Sequence, residues 1–150
     1  MKGIYVLAAA AAAAAAAVMA TALTGAGVAP AAPGRTEAPA PVLKLQNKRF
    51  GAILARRDKL PLYYWAREKQ AGGGIRCTGR CAVVWPPLVV KRGSAVPARL
   101  SGIKGRFGTI KRPDGRRQVT HNGLPLYAYH NDSPNVVLCN NVDGWFVVRV

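Results

Sequence analysis

The chain has 150 residues, 22 Lys and Arg against 6 Asp and Glu, a formal net charge of +16 at pH 7, and three cysteines. That length fits one folded domain. So few carboxylates leave little for paired-acid catalysis, and the basic excess points toward polyanionic partners.

After Lys2 runs an almost unbroken apolar stretch from Gly3 to Ala20, with consecutive alanines from Ala8 to Ala17. One positive charge, an apolar stretch and then small residues is the layout of an export signal. Ends are offered by Val18-Met19-Ala20 and by Ala29-Pro30-Ala31. An apolar run of that length is also just enough to span a bilayer. Residues 1–28 are therefore expected to act as a signal peptide or as a retained membrane anchor. None of Cys77, Cys81 and Cys139 follows the apolar run, which argues against a lipid-bearing N-terminal cysteine.

Residues 29–42 are expected to form a disordered spacer, since Ala29 to Pro41 is Ala, Pro, Gly and Thr with one Arg and one Glu. The folded part is expected over 43–150. Without Lys2, Arg35 and Glu37 it keeps 20 basic and 5 acidic residues, a net of +15. A core of that size is small and gains from a covalent staple.

Within the folded part the sequence repeats. Leu60-Pro61-Leu62-Tyr63-Tyr64-Trp65 recurs as Leu124-Pro125-Leu126-Tyr127-Ala128-Tyr129, and Phe50-Gly51-Ala52-Ile53 as Phe107-Gly108-Thr109-Ile110. Trp85 and Trp145 both precede apolar endings. Two degenerate copies, about 50–90 and 107–150, follow. The offsets differ, as if the second copy had gained residues between its first two strands.

The first copy predicts a strand over Phe50–Ala55 paired with Leu60–Ala66 across Arg56-Arg57-Asp58-Lys59. The second predicts strands over Phe107–Lys111, Arg117–His121 and Leu124–His130, punctuated by Asp114-Gly115 and Asn122-Gly123. Those dipeptides suit tight hairpin turns, and the Val, Ile, Tyr and Trp content favours strands. The fold class expected is all-β, mainly antiparallel, with one helical turn over Cys81–Trp85 ended by Pro86-Pro87.

Strand alternation puts Tyr63 and Trp65 on one face, as it does Tyr127 and Tyr129, with Leu62 and Leu126 on the other. Each aromatic doublet is followed three residues later by a carboxylate, Glu68 or Asp132. Such a doublet is either a stacking platform for sugars or bases, or a core pair whose carboxylate fixes a turn or accepts a hydroxyl hydrogen bond.

Tyr63-x-Trp65-x-x-Glu68 and Tyr127-x-Tyr129-x-x-Asp132 resemble the repeated Tyr-x-aromatic-x-x-Asp motif of a bacterial secreted-repeat family, many of whose members are described as lipoproteins. Cys77-Thr78-Gly79-Arg80-Cys81-Ala82 with Trp85-Pro86-Pro87-Leu88 is similar to that family's cysteine–tryptophan block. Gly108 to Gly115, Gln118-Val119-Thr120 and Asn122-Gly123 match its next block. The resemblance covers about residues 50 to 150 and implies fold and export, with no biochemical activity attached. The chain departs from the pattern at Glu68, which replaces Asp, and at Cys139-Asn140-Asn141, where a Gly-rich stretch is usual.

An exported chain meets an oxidising compartment, so Cys77 and Cys81 are expected to pair. Helical i, i+4 spacing holds Cβ atoms too far apart for a disulfide, so the bridge needs a turn, which Thr78-Gly79 can supply. It would tie Trp85, Pro86 and Pro87 to the domain, with Trp145 as the second copy's structural tryptophan. Cys139 is then free, paired between chains, or a competitor for Cys81.

A redox or metal-handling role for Cys77, Cys81 and Cys139 is the alternative function. The spacing lacks the two-residue redox loop, and His121 and His130 lack a metal-binding helical spacing. No Gly-x-Ser-x-Gly elbow or phosphate loop is present. Neither an enzyme, a metal nor a cofactor is expected.

The basic surface is expected at Arg56, Arg57, Lys91, Arg92, Lys111, Arg112, Arg116 and Arg117, which punctuate turns and strand ends. Its expected partners are anionic cell-wall polymers or lipid headgroups. Export and the lack of a nucleic-acid motif argue against nucleic acid, and membrane association is expected only if the N-terminal segment stays. A basic excess that serves solubility alone is the competing explanation.

Overall fold

Alternating side chains over Val42–Asn47 (β1) and Gly51–Arg56 (β2) form an antiparallel hairpin, with Val42 opposite Arg56 and Asn47 opposite Gly51. Asn47 closes the turn by accepting the backbone N–H groups of Arg49 and Phe50 at 3.0 and 3.1 Å, a local bond typical of Asn in turns. The computed structural model describes residues 40–150, so the export segment and nearly all of the spacer lie outside the described residues. Among the described residues no helix is long and apolar enough to cross a membrane.

After the hairpin come Tyr63–Trp65 (β3), Ala66–Gln70 (α1), Arg80–Val84 (α2) and Val89–Val90 (β4). The second half holds Phe107–Lys111 (β5), Arg117–His121 (β6), Leu124–Pro125 (β7) and Trp145–Val147 (β8). β1 pairs β2, β3 pairs β8, and β6 is flanked by β4 and β5 with β7 also on it. Every pairing is antiparallel, so the all-β reading holds.

Two details differ from the sequence reading. β2 pairs along its whole length with β1 and meets the Leu60–Ala66 segment only at the Ala55–Pro61 bridge. The counterpart of β5 is therefore β1 and that of β6 is β2, and no extra segment separates the first two strands of the second copy. The match of Phe50–Ile53 to Phe107–Ile110 joined residues from non-equivalent strands. Second, α1 takes up the chain where the strand ends. Ala66-Arg67-Glu68-Lys69-Gln70 are all good helix formers, a signal too short to show as a helical period. α2 starts at Arg80, with Trp85 at its C-cap before the two prolines.

The copies exchange their ends. Leu54 donates its N–H to Val148 (2.9 Å), and Val148 donates to Leu62 (2.8 Å). In mirror fashion Val119 donates to Leu88 (2.8 Å) and Leu88 to Leu126 (2.9 Å). At the centre Tyr63 and Tyr127 exchange backbone hydrogen bonds of 2.8 and 3.0 Å. The last segment of each copy thus completes the sheet of the other.

Alternation divides the core in two. Leu62 and Leu126 join Val42, Leu54, Phe107, Val119 and Val148 on one side. Tyr63 and Tyr127 join Ile53, Cys77, Trp85, Trp145 and Val147 on the other. Gly73, at φ +88°, lies where any Cβ would collide with the carbonyl oxygen of Gly123, so a glycine lets α1 close on the second copy's turn.

Candidate functional site

The motif tyrosines and carboxylates pair across the copies. Tyr63 donates its hydroxyl to Asp132 Oδ2 at 2.6 Å, and Tyr127 donates to Glu68 Oε1 at 2.8 Å. Glu68 Oε1 also accepts the N–H groups of Arg76 (2.7 Å) and Cys77 (3.0 Å), while Asp132 Oδ1 accepts that of Leu138 (3.1 Å). Each carboxylate thereby fixes the loop after its own doublet and holds the tyrosine of the other copy. Burial, reinforced by the adjoining carboxylate, pushes both phenols well above the ordinary tyrosine range. Burial also pushes the Asp132 carboxyl up.

The tryptophans of the two copies meet at the same centre. Trp85 and Trp145 stack with centroids 3.9 Å apart. Tyr63 meets Trp85 edge-on at 5.2 Å, and Tyr127 meets Trp145 edge-on at 5.2 Å. Trp65 stacks on Trp145, and Tyr129 tilts against Trp85. Tyr63 and Tyr127 are fully buried, while Trp65 and Tyr129 are half-buried. Pro86 accepts the Ala128 N–H and Pro87 bridges to Tyr127, so the Trp85-Pro86-Pro87 run is sewn into the centre.

Cys77 and Cys81 are bridged, with Cα atoms 5.2 Å apart, and Gly79 at φ +53° makes the turn that this spacing requires. Cys139 is free and half-buried, and burial pushes its thiol up, away from thiolate chemistry. Among the described residues no group of three or more His, Cys, Asp or Glu could hold a metal ion. His121 is buried, with Nε2 2.8 Å from the Lys104 carbonyl, whereas His130 is exposed.

One expected surface residue is not at the surface. Arg112 is 2 % exposed and donates to Gln118 Oε1 and to the Cys77 carbonyl (2.9 Å), with Asp114 at 3.3 Å. Its flat guanidinium serves several acceptors at once, and so ties the disulfide loop to the β5–β6 hairpin. Arg57, Lys91, Arg92, Lys111, Arg116 and Arg117 are exposed, and Arg56 is half-buried beside Asp58. Lys111 faces Arg117 across β5–β6, and Val90, next to Lys91 and Arg92, faces Arg117 across β4–β6. Five of these cations therefore gather at one end of the four-stranded sheet, while Arg56 and Arg57 sit apart at the end of β2 and in the turn after it.

A cleft of about 700 Å³ lies on the face of β3–β8 opposite the buried tyrosines. Its aromatic wall is the cross-strand pair Tyr64–Phe146, stacked with centroids 5.7 Å apart. Lys69, Arg149, His121, Asn122, Asn140 and Asn141 line the rest of its polar rim, and no carboxylate does. Asn140 Oδ1 accepts the Val147 N–H (3.1 Å) and Asn122 Oδ1 the Arg106 N–H (2.9 Å), which leaves both amide NH₂ groups as donors. Sequence reading missed this wall because it followed Tyr63 and Trp65 and left the intervening Tyr64. The Asn140-Asn141 pair had stood out only as a departure from the family pattern.

These features define a β protein built from two intertwined copies around a tyrosine–tryptophan centre. The chain belongs to the family described as a secreted repeat of unknown function, whose model matches residues 45–89 and 108–149, together more than half of the chain. No curated protein and no solved structure matches it.

Proposed function

We propose that the domain is a non-enzymatic binding module of the cell envelope whose basic surface holds anionic wall polymers or lipid headgroups. The observation that carries this is the imbalance of exposed charge. Of the twenty Lys and Arg between residues 40 and 150, eighteen are exposed. Of the five carboxylates, Glu68 and Asp132 are buried against tyrosines, and Asp58 and Asp114 are paired with Arg56 and Arg116. Exposed cations thus outnumber exposed carboxylates by eighteen to three. A field of that kind concentrates polyanions without reading their sequence. The buried carboxylates and the protonated Cys139 thiol offer no acid–base or nucleophilic pair to a substrate, which supports binding over turnover.

Co-sedimentation of the full-length protein tests this. It is expected to pellet with phosphatidylglycerol-containing vesicles or with wall material carrying poly(glycerol phosphate), and to be released by about 0.5 M salt, where screening shortens electrostatic reach to a few Å. Equal sedimentation with neutral and anionic material, or binding indifferent to salt, would remove the basis of the proposal.

A further inference from the structure

We propose that the Tyr64–Phe146 cleft is a specific subsite for an anionic glycan, in which a sugar ring packs on the aromatic wall while its carboxylate or phosphate meets Lys69. The inference rests on the polyanion-binding reading above and gives it a location and a ligand class.

Three features converge. The first is the wall itself. Tyr64 and Phe146 are half-buried partners on the outer face of β3–β8, with their near-parallel rings fixed by cross-strand register. Aromatic faces carry negative charge density that attracts the polarised C–H groups of a sugar ring. The second is the rim. The amides of Asn122 and Asn140 each spend their oxygen on a backbone N–H and keep their donors. Amide donors beside an aromatic wall match the hydroxyls of a sugar, whereas a lipid acyl chain would leave them unsatisfied. The third is charge. Lys69 is the cation offered to a ligand, whereas Arg149 also lines the cleft but holds its guanidinium over the Phe50 ring at 5.5 Å. The volume falls in the range of small-ligand sites, and a cleft open to solvent admits an internal segment of a chain.

The deciding contrast is with the diffuse charge elsewhere on the surface. That charge attracts any polyanion, whereas the cleft requires a sugar ring as well. Isothermal titration calorimetry of the full-length protein at low salt would use four probes: a tetrauronate, a tetrasaccharide phosphate, a neutral tetrasaccharide and linear polyphosphate. The variants are Lys69→Gln, Phe146→Leu, and Lys48→Gln, which removes the same charge away from the cleft. The inference expects an acidic tetrasaccharide to bind with one site and to weaken about tenfold or more in the first two variants. The third variant should change it little, and polyphosphate should respond alike to both charge removals. The tighter of the two acidic sugars identifies the anion. Retained near-UV circular dichroism in Lys69→Gln guards against a folding defect, because that side chain is exposed. If polyphosphate binds but the acidic sugars are no better and respond alike to both charge removals, the cleft is no subsite and the diffuse-surface reading survives. If no anionic probe binds at low salt, both are overturned.

Discussion

Replacing the Tyr63 hydroxyl with hydrogen, as in Tyr63→Phe, removes one bond and leaves its acceptor in place. Asp132 would then keep only the Leu138 N–H, on its other oxygen. A hydrogen bond to a charged acceptor contributes about 1.5–3 kcal/mol, so a loss of about 2 kcal/mol is expected. Tyr127→Phe should cost somewhat less, about 1–2 kcal/mol, because Glu68 Oε1 retains the Arg76 and Cys77 N–H groups. The sharper quantity is the coupling. Double-mutant cycles of Tyr63 with Asp132→Asn and of Tyr127 with Glu68→Gln should give about 1–2 kcal/mol each. The cycles within one motif, Tyr63 with Glu68 and Tyr127 with Asp132, should stay within about 0.5 kcal/mol of zero. Urea unfolding of the full-length protein, followed by fluorescence of the tryptophan stack, measures all four, provided that the m-value is unchanged. Coupling that is stronger within each motif than across the copies would refute the exchanged arrangement.

Four further outcomes follow from the structure. Cys77→Ser/Cys81→Ser opens a four-residue separation, for which chain entropy alone gives about 2 kcal/mol, and thermal unfolding should fall by about 10 °C. Arg112→Met should destabilise by about 2–4 kcal/mol, since Gln118 and the Cys77 carbonyl lose a buried donor. Arg116→Gln, on the surface, should change stability by less than about 0.5 kcal/mol in the same denaturation assay. The folded Asp132 carboxyl lies above its unfolded value of 3.8, so the native state binds its proton more tightly. The associated stability is present at low pH and is lost as pH rises through the folded value. Wild type should therefore gain stability relative to Asp132→Asn as pH falls from 7 toward 4, and a difference that is flat or rises with pH would contradict this.

Much of the architecture was legible because two-residue alternation is a direct imprint of a sheet. It separated Tyr63 and Tyr127 from Leu62 and Leu126, and these residues head the two halves of the core. The disulfide was legible from spacing and compartment, with Gly79 as the turn residue. The exchange between copies was not, because local patterns do not record which distant segment completes a sheet. Tyr63 and Glu68 are neighbours in sequence, yet the hydroxyl partner of Tyr63 lies 69 residues away. Arg112 looked like surface charge because its neighbours are charged. Only the fold brings Gln118 and the Cys77 carbonyl to its guanidinium. The cleft escaped for a similar reason, since Tyr64 and Phe146 meet only through the β3–β8 register.

The most direct test of the polyanion-binding account is the salt dependence of affinity for a fluorescently labelled poly(glycerol phosphate) chain. The account predicts that log K falls linearly with log salt, with a slope that reports several released counterions. Reversing Lys111, Arg116 and Arg117 to Glu should make that slope shallower. A slope near zero, or binding equally tight to an uncharged polymer, would contradict a function based on the exposed cations.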